Sequence, residues 1–452
     1  MADYDAVIIG AGLSGLCSGA LLTHHGLKVL LLEKRSYVGG RAASIKHGKH
    51  ILDDGPHMPD ESGDLEKLFK TLGLEYPELL PYPMGDGWIN GEWISMREAF
   101  PLQEAREVLQ EFAAISDEAL NDYNDISVAD WCKTRKNTEE WSTMFRYFAQ
   151  LLLVGNKFED LSMGELIFLL RIPLLQGKRL SQVGGTVSGG LTSLTEPLRD
   201  IIENNGGEIR LSCPVNDIVI DDGKVRGVEI ETGDPLFPSQ VLETEVIEAP
   251  VVICTLPIWD LFKVVSEDEF PGWYQDWIRD SGKRVSHIWS LIYAVEEPLW
   301  DIRTFRWVPR LPRTGTFGIF FQHQTYGDDA DETQVNVVIQ GNYRDLPDLN
   351  QWQCAKTRRE VRRILKCLEE DAVELIPGLV EATKWRIGQA SVFGLTEAPG
   401  NTAFHRPSMR VPAVENLYLL SDSIREARGL GMQSIAKASL ELGELLNPMK
   451  NV

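Results

Sequence analysis

The chain has 452 residues, with 45 Lys and Arg against 67 Asp and Glu, for a formal net charge of −22. An acidic surface of that size argues against nucleic-acid binding, which needs basic side chains to neutralise phosphates, and disfavours electrostatic attraction to anionic lipid. A 43% hydrophobic and 25% charged composition is that of a globular protein, long enough for two or three domains.

Six cysteines are scattered without a CxxC pair, so neither a disulfide framework nor a zinc site is expected. No run of 18 apolar residues occurs, and the N-terminus, MADYDAVIIG, is acidic and leads straight into a strand. A cytoplasmic protein with no signal peptide and no spanning helix is expected.

In chain order, residues 5–9 predict a buried strand, 13–25 a helix closed by Gly26, and 28–33 (KVLLLE) a second strand. At the first turn, Gly10, Gly12 and Gly15 fit GxGxxG. The first glycine permits the tight turn, the second lets the backbone approach a pyrophosphate, and the third lets the helix pack on the strand. Leu13 and Ser14 sit at the helix head, where free N–H groups favour phosphate. Glu33 ends the second strand, placed to accept hydrogen bonds from a ribose diol and to disfavour a 2′-phosphate. A dinucleotide site follows, although two dinucleotide cofactors share this fingerprint. Gly39, Gly40 and Arg41 then offer a second turn and a guanidinium for the phosphates.

Helical periodicity appears at 65–74 and from about 101 to 175. The stretch 141–175, rich in Leu and Phe, reads first as ordinary helical core and second as an apolar pocket lining or membrane-touching face. Twelve tryptophans carry the same two readings, core or bulky apolar pocket. Gly184-Gly185 precede a helix at 191–204. Strands follow over 208–231, with a two-residue hairpin turn at Asp222-Gly223, and again at 251–257. Residues 284–345 predict a second sheet, 355–376 a charged amphipathic helix, and 417–420 a last buried strand. Met432, Ile435, Ala436, Leu440 and Gly443 mark one face of a terminal helix. The expected fold is α/β, with two discontinuous domains: a Rossmann-type dinucleotide-binding domain (1–75, 184–258, 385–447) and an α+β substrate domain with a mixed sheet and helices (76–183, 259–384).

Three stretches carry a family resemblance: Glu33-Lys34-x4-Gly39-Gly40-Arg41 with Asp54-Gly55-Pro56-His57; Gly184-Gly185 with GGEIRLSCPVNDI; and ENLYLLSDSIREARGLGMQSIAKAS at 415–439. The chain resembles the flavin amine oxidases and, within that superfamily, the phytoene desaturase branch. The resemblance implies FAD in a glutathione reductase-like layout. It implies that Glu33 holds the adenosine ribose, that Arg41 and the turn at Gly12–Ser14 contact the pyrophosphate, and that Val215 meets the adenine through its backbone. Asp422 would sit by the ribityl chain or phosphate, and Gly55–His57 would line the flavin ring. Gly431, Met432 and Gln433 would aim helix N–H groups at the flavin N1–C2=O edge, where reduced flavin carries negative charge. The chain departs from the family in having Ser421 before Asp422, and Arg425, Glu426 and Arg428 where glycines are frequent.

An amine oxidase of this superfamily carries a lysine ten residues before a Phe-Trp pair. Counting back from Trp300 gives Ser290, with Lys283 out of register. An amine-flanking aromatic pair is not evident; Trp385 and Phe393 are the nearby candidates. No cysteine follows Cys367, so FAD is expected to be noncovalent. The resemblance therefore implies hydride transfer between an apolar substrate carbon and flavin N5, with His57 and Arg428 as candidate catalytic residues. The other readings are a peroxide-forming amine oxidase and a non-catalytic prenyl-binding carrier like the GDP-dissociation inhibitors. No metal is expected. Peripheral membrane contact fits the apolar substrate, and the electron acceptor (oxygen, quinone or another carrier) and oligomeric state are left open. No second GxGxxG follows a strand to suggest a separate NAD site.

Overall fold

The computed structural model describes residues 3–48, 50–54, 63–83, 85–99, 102–136, 138–153, 157–175, 182–232, 243–324, 332–342, 354–429 and 431–447. Its first layer is a five-stranded parallel sheet in the order Leu417–Leu419, Val252–Cys254, Ala6–Ile9, Val29–Leu32, Glu208–Arg210. The strands AVII and VLLL are buried along their whole length, as central parallel strands covered on both faces must be. Helices Leu13–His24, Thr192–Asn204 and Gly431–Leu446 pack together on this sheet. The four strands that follow the glycine turn or complete its sheet come from the beginning, middle and end of the chain. A three-stranded antiparallel sheet (Val215–Asp221, Lys224–Thr232, Glu243–Glu248) adjoins it, its first hairpin turning at Asp222-Gly223.

The second layer is a seven-stranded mixed sheet. Its order is Thr383–Leu395, Val285–Val295, Thr333–Asn342, Phe317–Gln324, Arg306–Val308, Asp86–Ile89, Glu92–Ser95. Side chains alternate across it with the period of two that a pleated strand imposes. Trp289, Leu291, Tyr293, Val335 and Val337 face the amphipathic helix Ala355–Leu375. Ile288, Phe317, Ile319, Phe321 and Val338 face the helices that run through 102–175. Trp141, Phe145, Leu166, Ile167 and Leu170 are buried there, so the Leu- and Phe-rich stretch is mainly core. Trp131, Trp289 and Trp307 are core as well. Among the described residues, no helix is long and apolar enough to cross a membrane.

The structure departs from the sequence expectation at several points. Strand Thr383–Leu395 hydrogen-bonds to Val285–Val295 over its full length, so the boundary expected at 385 falls inside the mixed sheet. Leu261, Val264, Phe270, Tyr274 and Ile278 join the core of the parallel sheet, although 259 onward was expected with the substrate domain. Glu243–Glu248 adds an edge strand whose acidic sequence, ETEVIE, carries only Val246 and Ile247 as an apolar signal. On the terminal helix Leu440 is only partly buried, and the face runs through Met432, Ile435, Ala436, Leu442 and Leu446.

One buried carboxylate ties the long helix to the sheet. Asp371 is fully buried and accepts hydrogen bonds from the N–H groups of Arg313 (2.9 Å) and Thr314 (3.1 Å), the Thr314 hydroxyl (3.2 Å) and the Arg313 guanidinium (3.1 Å). Asp371→Asn keeps the shape but removes the charge and one acceptor position. It is expected to lower stability by about 2 kcal/mol, read as a reduced urea midpoint at unchanged slope.

Candidate functional site

The glycine turn is built as close backbone packing requires. Gly10 has φ 100°, and a Cβ there would stand 2.6 Å from the Thr255 hydroxyl. A Cβ on Gly15 would run into the Gly10 carbonyl. Gly12 is different: nothing lies within 4 Å of where its Cβ would be. The backbone is therefore bare toward open space at the point where a helix begins. Gly12 caps that helix without a side-chain hydrogen bond, and the first turn holds no acidic residue. Its N–H groups and partial positive charge face outward, which suits a phosphate.

Glu33 is buried beside this turn. Its carboxylate accepts from the Ala11 N–H at 2.8 Å and the Arg35 N–H at 2.7 Å, leaving acceptor positions for a diol. The Cys213 N–H donates to the Glu33 carbonyl at 2.8 Å, which carries the chain to Val215 at the start of its strand. Lys34 is exposed. The Gly39 N–H donates to the Ala11 carbonyl at 2.7 Å, laying the turn Gly39-Gly40-Arg41 against the first. Arg41 Nη2 then meets Asp422 Oδ2 at 2.8 Å, joining two expected phosphate contacts that lie 381 residues apart in sequence. Asp422 Oδ1 is buried without a partner. Gly431 opens the last helix with no neighbour within 4 Å of its Cβ position, Met432 is buried behind it, and Gln433 Oε1 accepts from the Leu65 N–H at 2.8 Å. Gly55, Pro56 and His57 lie outside the described residues.

Arg428 is held by the helical region. Its Nε donates to Glu165 Oε2 at 3.1 Å, and its guanidinium lies 4.1 Å over the Phe168 ring. Glu165 is one member of a buried charge cluster that sequence reading missed, because its partners come from distant segments. Arg406 donates to Glu397 Oε1 at 2.5 Å and to the Asp422 carbonyl at 3.2 Å. Burial pushes the Glu397 carboxyl up to about 7, against the pull of Arg406 and with the repulsion of Glu165.

A small cavity, open to solvent at its mouth, lies on the mixed sheet. Ser290 and Ile292 from one strand, Phe321 and His323 from another, and Gln334, Asn336 and Val338 from a third form its floor. Gln389, Asp53 and Thr186 complete it. Asp53 ends the strand His50–Asp53, and the following Asp54 N–H donates to the Ala43 carbonyl at 2.8 Å, so the cavity adjoins the turn bearing Arg41. Burial raises the Asp53 carboxyl above its ordinary range, opposed by hydrogen bonds from the Leu191 N–H and Ser44 hydroxyl. Burial likewise pushes His323 down to about 4, keeping it neutral. Ser290 therefore does line a cavity wall, whereas Trp385 packs on His47 and His50, ring centroids 5.5 and 4.9 Å away. Among the described residues no tryptophan lines the cavity, which therefore differs from the bulky apolar pocket that the tryptophan count suggested. Among the described residues no cluster of His, Cys, Asp or Glu is set to hold a metal ion.

The uncovered Gly12, the uncapped helix, buried Glu33 and the unsatisfied Asp422 oxygen together fit an adenine dinucleotide with a second charged or polar segment beyond its pyrophosphate. Comparison with known proteins extends this. The family model described as flavin containing amine oxidoreductase matches residues 13–434. A 4,4'-diapophytoene desaturase (4,4'-diapolycopene-forming) from Methylomonas sp is 25% identical over 276 residues, 52% of this chain and 52% of the relative. The flavin-containing amine oxidase A of Equus caballus is 34% identical over 100 residues, 22% of this chain and 19% of that one. The chain thus spans about half the length, or less, of these curated relatives. A solved oxidoreductase from Methanosarcina mazei superposes with a TM-score of 0.71 at 17% identity, covering 97% of this chain and 99% of its own, a likeness of fold.

Proposed function

Because the chain belongs to the flavin containing amine oxidoreductase family, with FAD as the family's cofactor, we propose that it moves a hydride between an apolar substrate carbon, isoprenoid-like or alicyclic, and flavin N5, as a desaturase, saturase or isomerase of the phytoene desaturase type. Bound FAD supplies the hydride chemistry, and the protein supplies binding, orientation and electrostatics. The N–H groups at Leu13 and Ser14 hold the pyrophosphate, with Arg41 beside it. Glu33 accepts from the ribose, and the backbone at Val215 meets the adenine. Asp422, fixed by Arg41, orients the chain between phosphate and ring. The N–H groups at Gly431, Met432 and Gln433 would offset negative charge on a reduced flavin held there. Arg428, anchored by Glu165, acts as a positioning residue for this end of the site. His57 remains a candidate proton acceptor.

The observation that carries this reading over amine oxidation is Ser290. It stands on the cavity floor, in the register where an amine oxidase of the superfamily has its lysine, and its hydroxyl donates to Gln389 Oε1 at 3.3 Å. The test is anaerobic mixing of the yellow holoprotein with isoprenoids, cyclic acids and amines, followed by visible flavin absorbance. Bleaching by an apolar compound and by no amine is the expected outcome. Fast bleaching by an amine, with peroxide released on re-aeration, overturns the reading. A purified protein that takes up no FAD points instead to a prenyl-binding carrier.

A further inference from the structure

The floor of the cavity changes character along each strand while staying on one face of the sheet. Ile288 is followed, two residues on, by Ser290; Val338 is preceded by Asn336 and Gln334; Phe321 is followed by His323. Ile288 lies in the core under the helices, Phe321 and Val338 belong both to that core and to the cavity floor, and the polar members line the cavity. They are not solvent residues: Ser290 is 4% exposed, Gln334 2%, Asn336 7% and His323 8%. Interior amides lower stability unless each polar atom is paired, so every polar atom of this buried row needs a partner.

Most of that row is committed within the protein. Gln334 Nε2 donates to the Ile51 carbonyl at 3.0 Å, and Gln389 Nε2 to the Asp53 carbonyl at 3.3 Å. These bonds pin the strand His50–Asp53 over the sheet. Asn336 is the exception, since its Nδ2 is buried on the cavity wall with no partner. An N–H donor needs an acceptor, which an ammonium group lacks. Among the described residues no Lys or Arg lines the cavity to hold an anion. His323 shares Nδ1 with the Gln324 carbonyl at 2.8 Å, and Asp53 Oδ1 already accepts from the Ser44 hydroxyl and the Leu191 N–H.

We infer that the substrate of this site carries an uncharged oxygen function, a carbonyl or a hydroxyl, on its apolar skeleton, and that Asn336 Nδ2 donates a hydrogen bond to that oxygen; this rests on the hydride-transfer reading for what occupies the cavity. Asn336 is thereby a specificity-determining residue, and a pure hydrocarbon is a poor ligand.

The test titrates the FAD-loaded protein with limonene, carveol and carvone, which share one ten-carbon cyclic skeleton and differ in having no oxygen, a hydroxyl or a ketone. Binding is read as perturbation of the flavin spectrum and, independently, as thermal stabilisation. Carvone or carveol is expected to bind about tenfold or more tightly than limonene to the wild type. In Asn336→Leu, and less completely in Asn336→Ser, that ratio falls toward one while flavin content is unchanged. Limonene binding as tightly as its oxygenated partners overturns the inference, as does a ratio that survives in Asn336→Leu or a failure of all three to bind. The wild-type ratio stands without the variants should either misfold. Oxygen-dependent binding without flavin bleaching by any compound sinks the hydride-transfer reading but keeps the recognition. Bleaching by limonene with no preference for oxygen does the reverse.

Discussion

Gly15→Ala is expected to give protein with at most about a tenth of the wild-type flavin content and a fall in stability of several kcal/mol. One methyl group does this because of where it must go. The Gly15 Cβ position overlaps the Gly10 carbonyl, with Gly10 carbonyl carbon 3.1 Å and the Ile8 Cγ2 3.5 Å away. These first two atoms are backbone in a turn already fixed by φ 100° at Gly10, so no side-chain rotamer can relieve the overlap. The helix Leu13–His24 has to lift from the strand Ala6–Ile9. Overpacking of an ordinary core costs about 1–3 kcal/mol, and a rigid backbone partner puts this site at or above that range. Lifting the helix also moves the Leu13 and Ser14 N–H groups away from the pyrophosphate position. Gly12→Ala is the control, since a Cβ at Gly12 meets nothing within 4 Å. That variant should fold normally and lose flavin only through steric exclusion of the phosphates. The measurement is the ratio of flavin to protein absorbance beside a thermal melt. Equal melting temperatures for Gly15→Ala and wild type would be incompatible with the packing described.

Stability should also carry a signature of Glu397 between about pH 4.5 and 7. Burial holds this carboxyl up at about 7 from its ordinary 4.5, with Arg406 and Arg428 pulling the other way and Glu165 adding repulsion. A group whose folded-state pKa is raised keeps its proton in the fold over a range where the unfolded chain has lost it. Its contribution is full below about pH 4.5, falls as pH rises, and is gone above about pH 7. At about 1.4 kcal/mol per pH unit this amounts to roughly 3 kcal/mol. Other acids titrate over the same window, so the informative quantity is the difference between wild type and Glu397→Gln, which mimics the protonated side chain at every pH. Wild-type stability minus variant stability, from urea unfolding of the holoprotein, should decrease by about 2 kcal/mol from pH 5 to 7 and level off by about pH 8. A difference that stays flat, or that grows with pH, would show Glu397 to be ionised throughout, held by Arg406. Because Arg406 also donates to the Asp422 carbonyl, the same titration should weaken FAD retention as the carboxylate forms.

The dinucleotide half of the molecule was legible because its signals are local and backbone-driven. Gly10, Gly12, Gly15 and Glu33 lie within one βαβ unit, where the spacing of glycines reports a path the main chain must take. The Asp222-Gly223 hairpin was legible for the same reason. The boundaries at 259 and 385 were not. Residues 261–278 are apolar enough to join either core, and Thr383–Leu395 contains Lys384, Arg386 and Gln389, which hide a strand until its partner Val285–Val295 is known. Asn336 and Gln334 were hidden more thoroughly. In QVNVVIQ they alternate with Val335 and Val337, the pattern of a strand with one wet face.

By itself the sequence determined a turn of bare main chain between the first strand and the first helix, since only glycine tolerates the φ at position 10 and the backbone contact at position 15. Tertiary structure alone decided that the apparent wet face of Thr333–Asn342 is interior, that Asn336 ends there unpaired, and that Arg41 finds Asp422 across 381 residues. Alternation in a strand says which residues share a face. What that face meets is set by segments brought over it from elsewhere in the chain, and no local pattern encodes them.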